Sequence, residues 1–245
     1  MEYSCITDIG IIREKNQDSF LAISNEYGDF LALVSDGIGG GKAGEVASGE
    51  TIKYFEEAFR NSGPFSDLES AKAFVEYHVE TVNKKVYGLS RSVKDYEGMG
   101  TTLTGLFICK HGKIALNVGD SRVYGIEGKN MHQLTYDHTL VNHLLATGQI
   151  SYEESINHPK RHYLVRAIGI YDEVAADVFD VDDYEYYLIC SDGLYGYMSE
   201  DEISDIIYDD ERSIAEKCED LKDLSLLKGG YDNVTIILIR NDENV

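Results

Sequence analysis

The stretch FLALVSDGIGGGKAGEVAS, residues 30–48, joins an apolar run to a glycine cluster and then to a helical pattern. Residues 30–35 form a continuous apolar run that is short enough for a buried strand. From Lys42 to Phe59 the apolar positions have helical spacing, and they are Ala43, Val46, Ala47, Thr51, Phe55 and Phe59. The sequence therefore predicts a strand, a glycine-rich turn that follows Asp36, and a helix.

The glycines of this turn spell G-x-G-x-x-G at Gly39, Gly41 and Gly44. A dinucleotide-binding loop would need an acidic residue at the end of a second strand about 20 residues later, but residues 50–60 continue the helix. A Walker A loop is excluded as well, because Lys42 is followed by Ala43 and no glycine stands at position 36. We interpret the glycines as small residues that let the backbone pass close to a group bound by Asp36, and the Gly37 carbonyl could itself be a ligand of that group.

The order of elements beyond this stretch indicates the fold class. A second helix is predicted from a capping box at Ser66–Glu69, and hairpins follow over 101–119 and 121–135. A polar, interrupted helical segment comes next, then two strands, two short helices and a last strand at 233–240. Hairpins outnumber β-α-β units, which favours an α+β fold with two mostly antiparallel sheets. Each helix pair could cover one sheet, which gives a four-layer α-β-β-α sandwich.

The composition of the chain excludes some classes of function. The chain has 245 residues, 43% of them hydrophobic, and a formal net charge of −22. We expect one domain over residues 1–245 and no binding to nucleic acid or anionic membranes, because the charge would repel both. The four cysteines are far apart, and no signal peptide or membrane span is recognisable. We therefore expect reduced thiols, a cytoplasmic location and a monomer.

Aspartates recur at the predicted strand ends. ALVSDG and LICSDG place Asp36 and Asp192 after apolar runs, NVGDSR places Asp120 after another, and Asp232 precedes the last strand. Any one of these could be an ordinary Asp–Gly turn. Four of them predict a rim of carboxylates that needs a cation to stay ionised. With no Cys or His cluster in company, these hard ligands suit Mg²⁺ or Mn²⁺ rather than zinc.

Eight motifs in order resemble those of the metal-dependent Ser/Thr protein phosphatases, the type 2C or PPM family, in its compact bacterial form. The motifs extend over nearly the whole chain, and they are GIIREKNQDSF (10–20), SDGIGGGKAGEVAS (35–48), GMGTTLTG (98–105), VGDSRVY (118–124), LTYDHTLVNHLLATGQI (134–150), HPKRHYLVRAIG (158–169), CSDGLYGYMS (190–199) and YDNVTIIL (231–238). The resemblance implies the same four-layer sandwich, with a binuclear metal centre at one end and a flap over residues 139–165.

The resemblance also implies roles for individual residues. Asp36 would bridge two metal ions, with the Gly37 carbonyl as a ligand of one and Asp192 and Asp232 as ligands of the other. Asp120, together with Asp192, corresponds to a weaker third site. Two further positions carry catalytic roles in the family: Asp18 would hold metal-bound water, and Arg13 would bind the substrate phosphate.

Two positions depart from the family pattern. Gln17 stands where some relatives have a ligating glutamate. Ile38 stands where many eukaryotic members have a histidine proposed as the general acid, so the proton of the leaving group must come from elsewhere. His138 and His162 are possible substitutes. We expect instead that His138 supports the site from behind and that His162 lies in a surface loop.

The expected function is hydrolysis of phosphoserine and phosphothreonine in proteins by a metal-activated water, in opposition to a Ser/Thr kinase. Two alternatives are a phosphatase of a small phosphorylated molecule and a catalytically weak relative that acts as a binding module. The presence of Asp36, Asp192 and Asp232 argues against the second of these. Lys160 and Arg161 in the flap segment could contact acidic substrates or could be ordinary solvated charges.

Overall fold

The computed structural model of the protein describes residues 1–38 and 43–241, so Gly39, Gly41 and Lys42 of the glycine cluster lie outside the described residues. One sheet contains five strands in the order β1-β11-β10-β7-β8. Their bounds are Glu2–Asp8 for β1, Arg122–Glu127 for β7, Asn130–Gln133 for β8, Tyr186–Cys190 for β10 and Val234–Arg240 for β11. We call this the terminal sheet, since it holds the first and last strands.

The second sheet, here called the central sheet, follows the order β2-β3-β5-β6-β9, and the short strand β4 pairs with the end of β3. Its strands are Asp18–Ser24 (β2), Phe30–Ile38 (β3), Gly100–Thr101 (β4), Leu103–Cys109 (β5), Gly112–Val118 (β6) and Asp177–Val181 (β9). Each strand pairing found in the described residues is antiparallel.

Two helix pairs form the outer layers. Helices α1 (Gly44–Arg60) and α2 (Leu68–Ser92) pack on the central sheet, and α6 (Glu200–Ile207) and α7 (Ile214–Leu227) pack on the terminal sheet. Three short helices lie between these pairs in the chain: α3 (Leu140–Ala146), α4 (Tyr152–Ile156) and α5 (Asp192–Tyr195). A single 3-10 turn covers Lys94–Tyr96. The α+β, four-layer α-β-β-α architecture predicted from the sequence is confirmed.

Strand β3 shows why its sequence is apolar at consecutive positions. Leu31 and Leu33 pack against the helices α1 and α2, while Phe30, Ala32 and Val34 face the terminal sheet. Successive side chains of a strand point to opposite faces, and both faces of β3 are covered. A strand buried on both sides needs apolar residues throughout, and this requirement fixes β3 in the middle of the sandwich.

The capping box of α2 lies one residue later than the sequence predicts. Asp67, not Ser66, is the N-cap: its side chain accepts a hydrogen bond from the Ser70 backbone N–H at 2.7 Å. The Ser70 side chain in turn accepts from the backbone N–H of Asp67 at 3.2 Å. Asp and Ser are equally good caps, so the local sequence did not distinguish the two registers.

Candidate active site

A cavity of about 480 Å³ lies at one end of the sandwich and brings together residues from distant parts of the sequence. We call it the carboxylate cavity, and it is lined by Arg13, Gln17, Asp36, Gly37, Ile38, Thr102, Asp120, His162, Leu164, Asp192, Tyr197, Asp232 and Asn233. Six of the candidate residues from the sequence are among them. The seventh, Asp18, is buried beside Asp36.

The four lining aspartates come from different kinds of position. Asp120 lies just after β6 and Asp232 just before β11, at strand ends as the sequence predicts. Asp36 lies inside β3, because this strand continues to Ile38 and pairs there with β4. Asp192 is the first residue of α5, after a single residue that follows β10. Asp192 therefore follows its strand at the same distance as Asp120 follows β6, whereas Asp36 lies within its strand and not at the end, and both line the same cavity.

Hydrogen bonds to the threonines of β4 and its continuation fix the backbone of Asp36. The Asp36 N–H donates to the Thr102 hydroxyl at 2.9 Å, and the Thr102 N–H donates to the Asp36 carbonyl at 2.9 Å. The Thr101 hydroxyl also donates to this carbonyl, at 2.8 Å. Because the backbone of Asp36 is held on both sides, its carboxylate has a fixed position at the cavity wall.

Asp18 lies directly across from Asp36 in the β2–β3 pairing. Its Oδ2 accepts a hydrogen bond from the Ser191 hydroxyl at 2.7 Å, and Ser191 Oγ also accepts from the Thr235 N–H at 3.0 Å. Ser191, which directly precedes Asp192, thus connects β2 with β11 at the cavity. The sequence does not reveal this connection, because 173 residues separate Asp18 from Ser191.

Gly37 has a packing reason to be glycine. A Cβ at this position would come within 2.5 Å of the Gly44 carbonyl carbon and 2.6 Å of the Gln17 carbonyl oxygen. The Gly37 N–H donates to that Gln17 oxygen at 3.1 Å. Gly37 and Gly44 therefore allow the close backbone contact expected from the sequence, at the point where β3 packs against the start of α1.

Arg13 reaches the cavity from the loop before β2. Its Nη2 donates to Asp232 Oδ2 at 2.7 Å, and its side chain is half exposed. Asn233 holds this loop in place: its side-chain amide donates to the carbonyls of Ile9 and Lys15 at 2.8 and 2.9 Å, and its Oδ1 accepts from the Gln17 N–H at 2.8 Å. The sequence analysis did not predict a role for Asn233, because the only indication in the sequence was that it follows Asp232.

A separate group of residues supports Asp120 from behind. His138 Nδ1 accepts a hydrogen bond from the Gly119 N–H at 3.1 Å, and the Tyr195 hydroxyl donates to the Asp120 carbonyl at 2.9 Å. The guanidinium of Arg122 lies 3.6 Å from the centre of the Tyr195 ring and binds the carboxylate of Asp137. His138 therefore has the supporting position expected from the sequence, while Arg122, Asp137 and Tyr195 were not predicted.

Burial and mutual repulsion raise the pKa values of Asp36, Asp120 and Asp192 at this cavity and of Asp18 beside it. Burial raises the pKa of Asp192 to about 8, with the neighbouring Asp120, Asp232 and Asp18 adding to the shift. The pKa of Asp36 is raised well above its usual value for the same reasons, and burial raises the pKa values of Asp18 and Asp120 to about 6. Carboxylates in such a cluster bind protons unless a cation compensates their charge.

Comparison with known proteins agrees with this geometry. The sequence profile described as Protein phosphatase 2C matches residues 13–220. The chain belongs to the protein phosphatase 2C family. It is 35% identical over 238 residues to the "Serine/threonine phosphatase stp" of Listeria welshimeri, with coverage of 96% of this chain and 94% of the relative. It is 36% identical over 245 residues to "Protein phosphatase PhpP" of Streptococcus pneumoniae, with coverage of 99% and 98%.

A solved serine/threonine phosphatase structure has the same fold over nearly all of its length. The serine/threonine phosphatase Stp1 of Staphylococcus aureus superposes with a TM-score of 0.91 at 33% identity, and the match covers 98% of this chain and 95% of that one. Proteins of the 2C family depend on divalent metal ions in general.

The donor set of the cavity fits a hard divalent cation. Oδ1 of Asp192 and Oδ1 of Asp18 are buried and have no hydrogen-bond partner, which is costly for a carboxylate oxygen unless a cation or water compensates it. However, no three His, Cys, Asp or Glu side chains within residues 1–38 and 43–241 are already at the spacing of a metal site. Cations of the Mg²⁺ type keep several waters and take few protein ligands, so carboxylates that are spaced more widely than in a compact metal site are compatible with them.

The two departures from the family pattern have structural consequences. Ile38 lines the cavity and has no proton to donate. His162 is exposed, as expected for a surface loop, but its side chain also lines the cavity. The expectation that placed His162 only on the surface was therefore incomplete, because sequence alone does not show that the loop folds back over the site. Gln17 lines the cavity too, and its amide donates to Glu45 at 3.2 Å.

Proposed function

We propose that this chain is a metal-dependent phosphoprotein phosphatase that hydrolyses phosphoserine and phosphothreonine and opposes a Ser/Thr kinase. One observation carries the proposal: four aspartates from separate parts of a 2C-family chain line one cavity, and Arg13 reaches into the same cavity. A cluster of carboxylates with raised pKa values is a typical feature of a catalytic site. The alternatives, a phosphatase of small molecules and a weakly active binding relative, have no feature of their own to support them.

We further propose the ligands of two divalent cations, Mn²⁺ or Mg²⁺, and of a weaker third one. Asp36 and the Gly37 carbonyl, with Asp192 and Asp232, would hold the first two, and Asp120 with Asp192 would hold the third. When bound, the cations supply Lewis acidity toward the phosphoryl group and the attacking water. The partnerless Oδ1 of Asp192 supports this assignment.

The side chains of the protein bind and orient the reactants. Arg13 carries a permanent positive charge at the cavity, and its guanidinium can bind two oxygens of a phosphate. Only its Nη2 is bound to Asp232, at 2.7 Å, so its Nε and Nη1 donors are not used by that contact. Asp18 is positioned by Ser191 through Oδ2, which leaves its buried Oδ1 to accept a hydrogen bond from water. We therefore assign phosphate binding to Arg13 and orientation of the attacking water to Asp18.

The leaving alkoxide needs a proton, and Ile38 does not provide one. Water is one possible source, and the imidazole of His162 is the histidine at the cavity that could be another. Arg161 Nε donates to His162 Nε2 at 2.9 Å. Burial, followed by the charge of Arg161, lowers the pKa of His162. This favours the neutral imidazole near pH 7, and thus water as the proton source.

The segment 139–165 is proposed as a flap within one catalytic domain that spans residues 1–245. A β-bridge joins Thr139 to Leu164 at its two ends, and the segment carries α3 and α4. His162 and Leu164 bring its returning end to the cavity wall. A closed loop of this kind can change the shape of the site without moving the sheets.

The remaining expectations concern partners and location. Phosphorylated proteins are the substrate class of a Ser/Thr phosphatase, and we propose targets of a Ser/Thr kinase, action as a monomer, no binding to membranes or nucleic acid, and the cytoplasm as the location. The four cysteines are free thiols, as is usual in a reducing compartment. In the described residues no helix has the length and apolarity needed to span a bilayer.

Phosphate release from a phosphothreonine peptide tests the proposal. With Mn²⁺ or Mg²⁺ the wild type should turn over, a chelator should abolish turnover, and Asp192→Ala should reduce it by roughly 100-fold or more. Asp201→Ala, an exposed aspartate of α6, serves as the matched control and should keep full activity. A folded wild type that releases no phosphate with either metal would refute the proposal, and a parallel assay on small phosphate esters would test the main alternative.

A further inference from the structure

Three large apolar side chains are exposed beside the carboxylate cavity. Ile11 is 63% exposed, Ile12 is 61% exposed and Tyr231 is 54% exposed. We call these three residues the apolar rim. Single exposed apolar residues are common, but a group of them beside a functional cavity is typical of a binding surface.

Backbone contacts hold the two loops of the apolar rim together. The N–H groups of Ile11 and Ile12 both donate to the Gly230 carbonyl, at 2.7 and 3.2 Å. Gly230 has a φ of +51°, and a Cβ there would lie 2.8 Å from Cγ1 of Ile11. The loop before β2 and the loop before β11 are therefore packed on each other, and the rim has a defined shape.

The apolar rim is continuous with the site where the phosphate is proposed to bind. Ile12 precedes Arg13 in the chain and Tyr231 precedes Asp232, and the side chains of Arg13 and Asp232 are joined at 2.7 Å. Tyr197 lines the cavity, and its ring centre lies 5.6 Å from that of Tyr231. The ring of Tyr197 therefore connects the cavity with Tyr231 of the rim, next to the Arg13–Asp232 pair.

We propose that the apolar rim binds an apolar side chain of the substrate that flanks the phosphorylated residue. This inference rests on the proposed function, since it takes Arg13 as the phosphate site. An extended peptide advances about 3.3–3.6 Å per residue, so a residue a few positions from the phosphorylated one reaches the rim. The rim carries no charge of its own, so it distinguishes substrates by apolar contact, whereas the overall charge of −22 favours basic substrates at long range.

A set of phosphothreonine peptides tests this inference. The peptides differ at one flanking position at a time, which is Ala, Leu, Lys or Glu, and kcat/KM is measured with Mn²⁺. For the wild type, Leu at one of these positions should raise kcat/KM about five- to tenfold over Ala, as expected for partial burial of an aliphatic side chain. The double variant Ile11→Ser with Tyr231→Ser should lose this advantage and keep the rate on the all-Ala peptide.

Controls separate the rim from general effects. Tyr77→Ser removes an aromatic residue of α2 that is 64% exposed, and it should leave the Leu advantage unchanged. Ile12→Ser alone should reduce the advantage in part, and it provides a second test if the double variant does not fold. Thermal unfolding of each variant shows whether the fold is retained.

Other results would overturn the inference. Equal kcat/KM for the Leu and Ala peptides in the wild type, or a preference only for Lys or Glu, would contradict binding by the apolar rim. An equal loss on the Leu and Ala peptides in the folded double variant would show a role in the site itself instead. A wild type inactive on every peptide would refute the proposed function, which is a different result from activity without preference.

Discussion

Gly193→Ala should disrupt the carboxylate cavity through a single methyl group. Gly193 follows Asp192 in α5, and a Cβ at this position would lie 2.8 Å from the Asn233 carbonyl carbon, with the carbonyl oxygen closer still. Ordinary contact begins at 3.4 Å, so clearing the carbonyl carbon alone requires a separation of about 0.6 Å between α5 and the loop before β11, and clearing the nearer oxygen requires more. Gly193 does not have a positive φ, and the expected effect is therefore steric.

The shift should affect both stability and activity. Overpacking of this kind costs about 1–3 kcal/mol in free energy of unfolding. It also moves Asp192 away from Asp232, and misplacement on the order of 1 Å lowers the rate of a preorganised site by about 100-fold. Asn233 orients the loop that carries Arg13, so the phosphate site should be disturbed as well.

Gly88→Ala is the matched control, because it makes the same chemical change near the C-terminal end of α2, where a Cβ meets nothing within 4 Å. It should stabilise the protein by up to about 1 kcal/mol through helix propensity and leave kcat/KM unchanged. Urea unfolding and phosphate release with Mn²⁺ measure the two quantities. If Gly193→Ala matched the wild type in both, the close approach of α5 to Asn233 would be unimportant and the reasoning would be wrong.

Three further predictions concern stability. Asn233→Ala removes three partly buried hydrogen bonds made by a buried residue and should lower the free energy of unfolding, measured in urea, by about 2–3 kcal/mol. In the presence of a chelator, the free energy of unfolding of the wild type should fall as the pH rises from about 4 toward 8, because burial raises the pKa of Asp192 in the folded state. Asp192→Asn should weaken this pH dependence. An unchanged pH profile of stability in this variant would contradict the raised pKa of Asp192. Burial lowers the pKa of His78, so the stability that the neutral imidazole contributes is present above pH 6.5 and is lost as the pH falls below that value. The loss of stability between pH 7.5 and pH 5, measured by thermal melts, should be smaller in His78→Phe than in the wild type. Equal losses in the two proteins would show that the burial of His78 is unimportant.

The sequence predicted the type of each main element because local pattern determines it. The continuous apolar run of β3 and the helical spacing in α1 both reflect which faces become buried. The element ends were less well determined: β3 extends to Ile38 because it pairs with β4, which lies more than 60 residues later in the chain. Hydrogen bonds between distant strands set these ends, and no local pattern contains them.

The candidate residues of the site were predicted from motif order, and the structure then brought six of them to one cavity and Asp18 beside it. Their supports were missed. Asn233, Ser191 and Tyr195 act through contacts with residues far away in the sequence. A polar residue next to a turn has the same local signature whether it supports a site or faces solvent.

By itself, the sequence determined which residues could supply the chemistry, since carboxylates beside glycines and an arginine in a recurring motif are properties of the chain. The tertiary structure alone decided that Asp18 faces Asp36, that Arg13 meets Asp232 across 219 residues, and that Ile11 and Tyr231 share one rim. The physical reason is that side-chain periodicity is local, whereas strand order and register arise from burial of whole faces of the sheets.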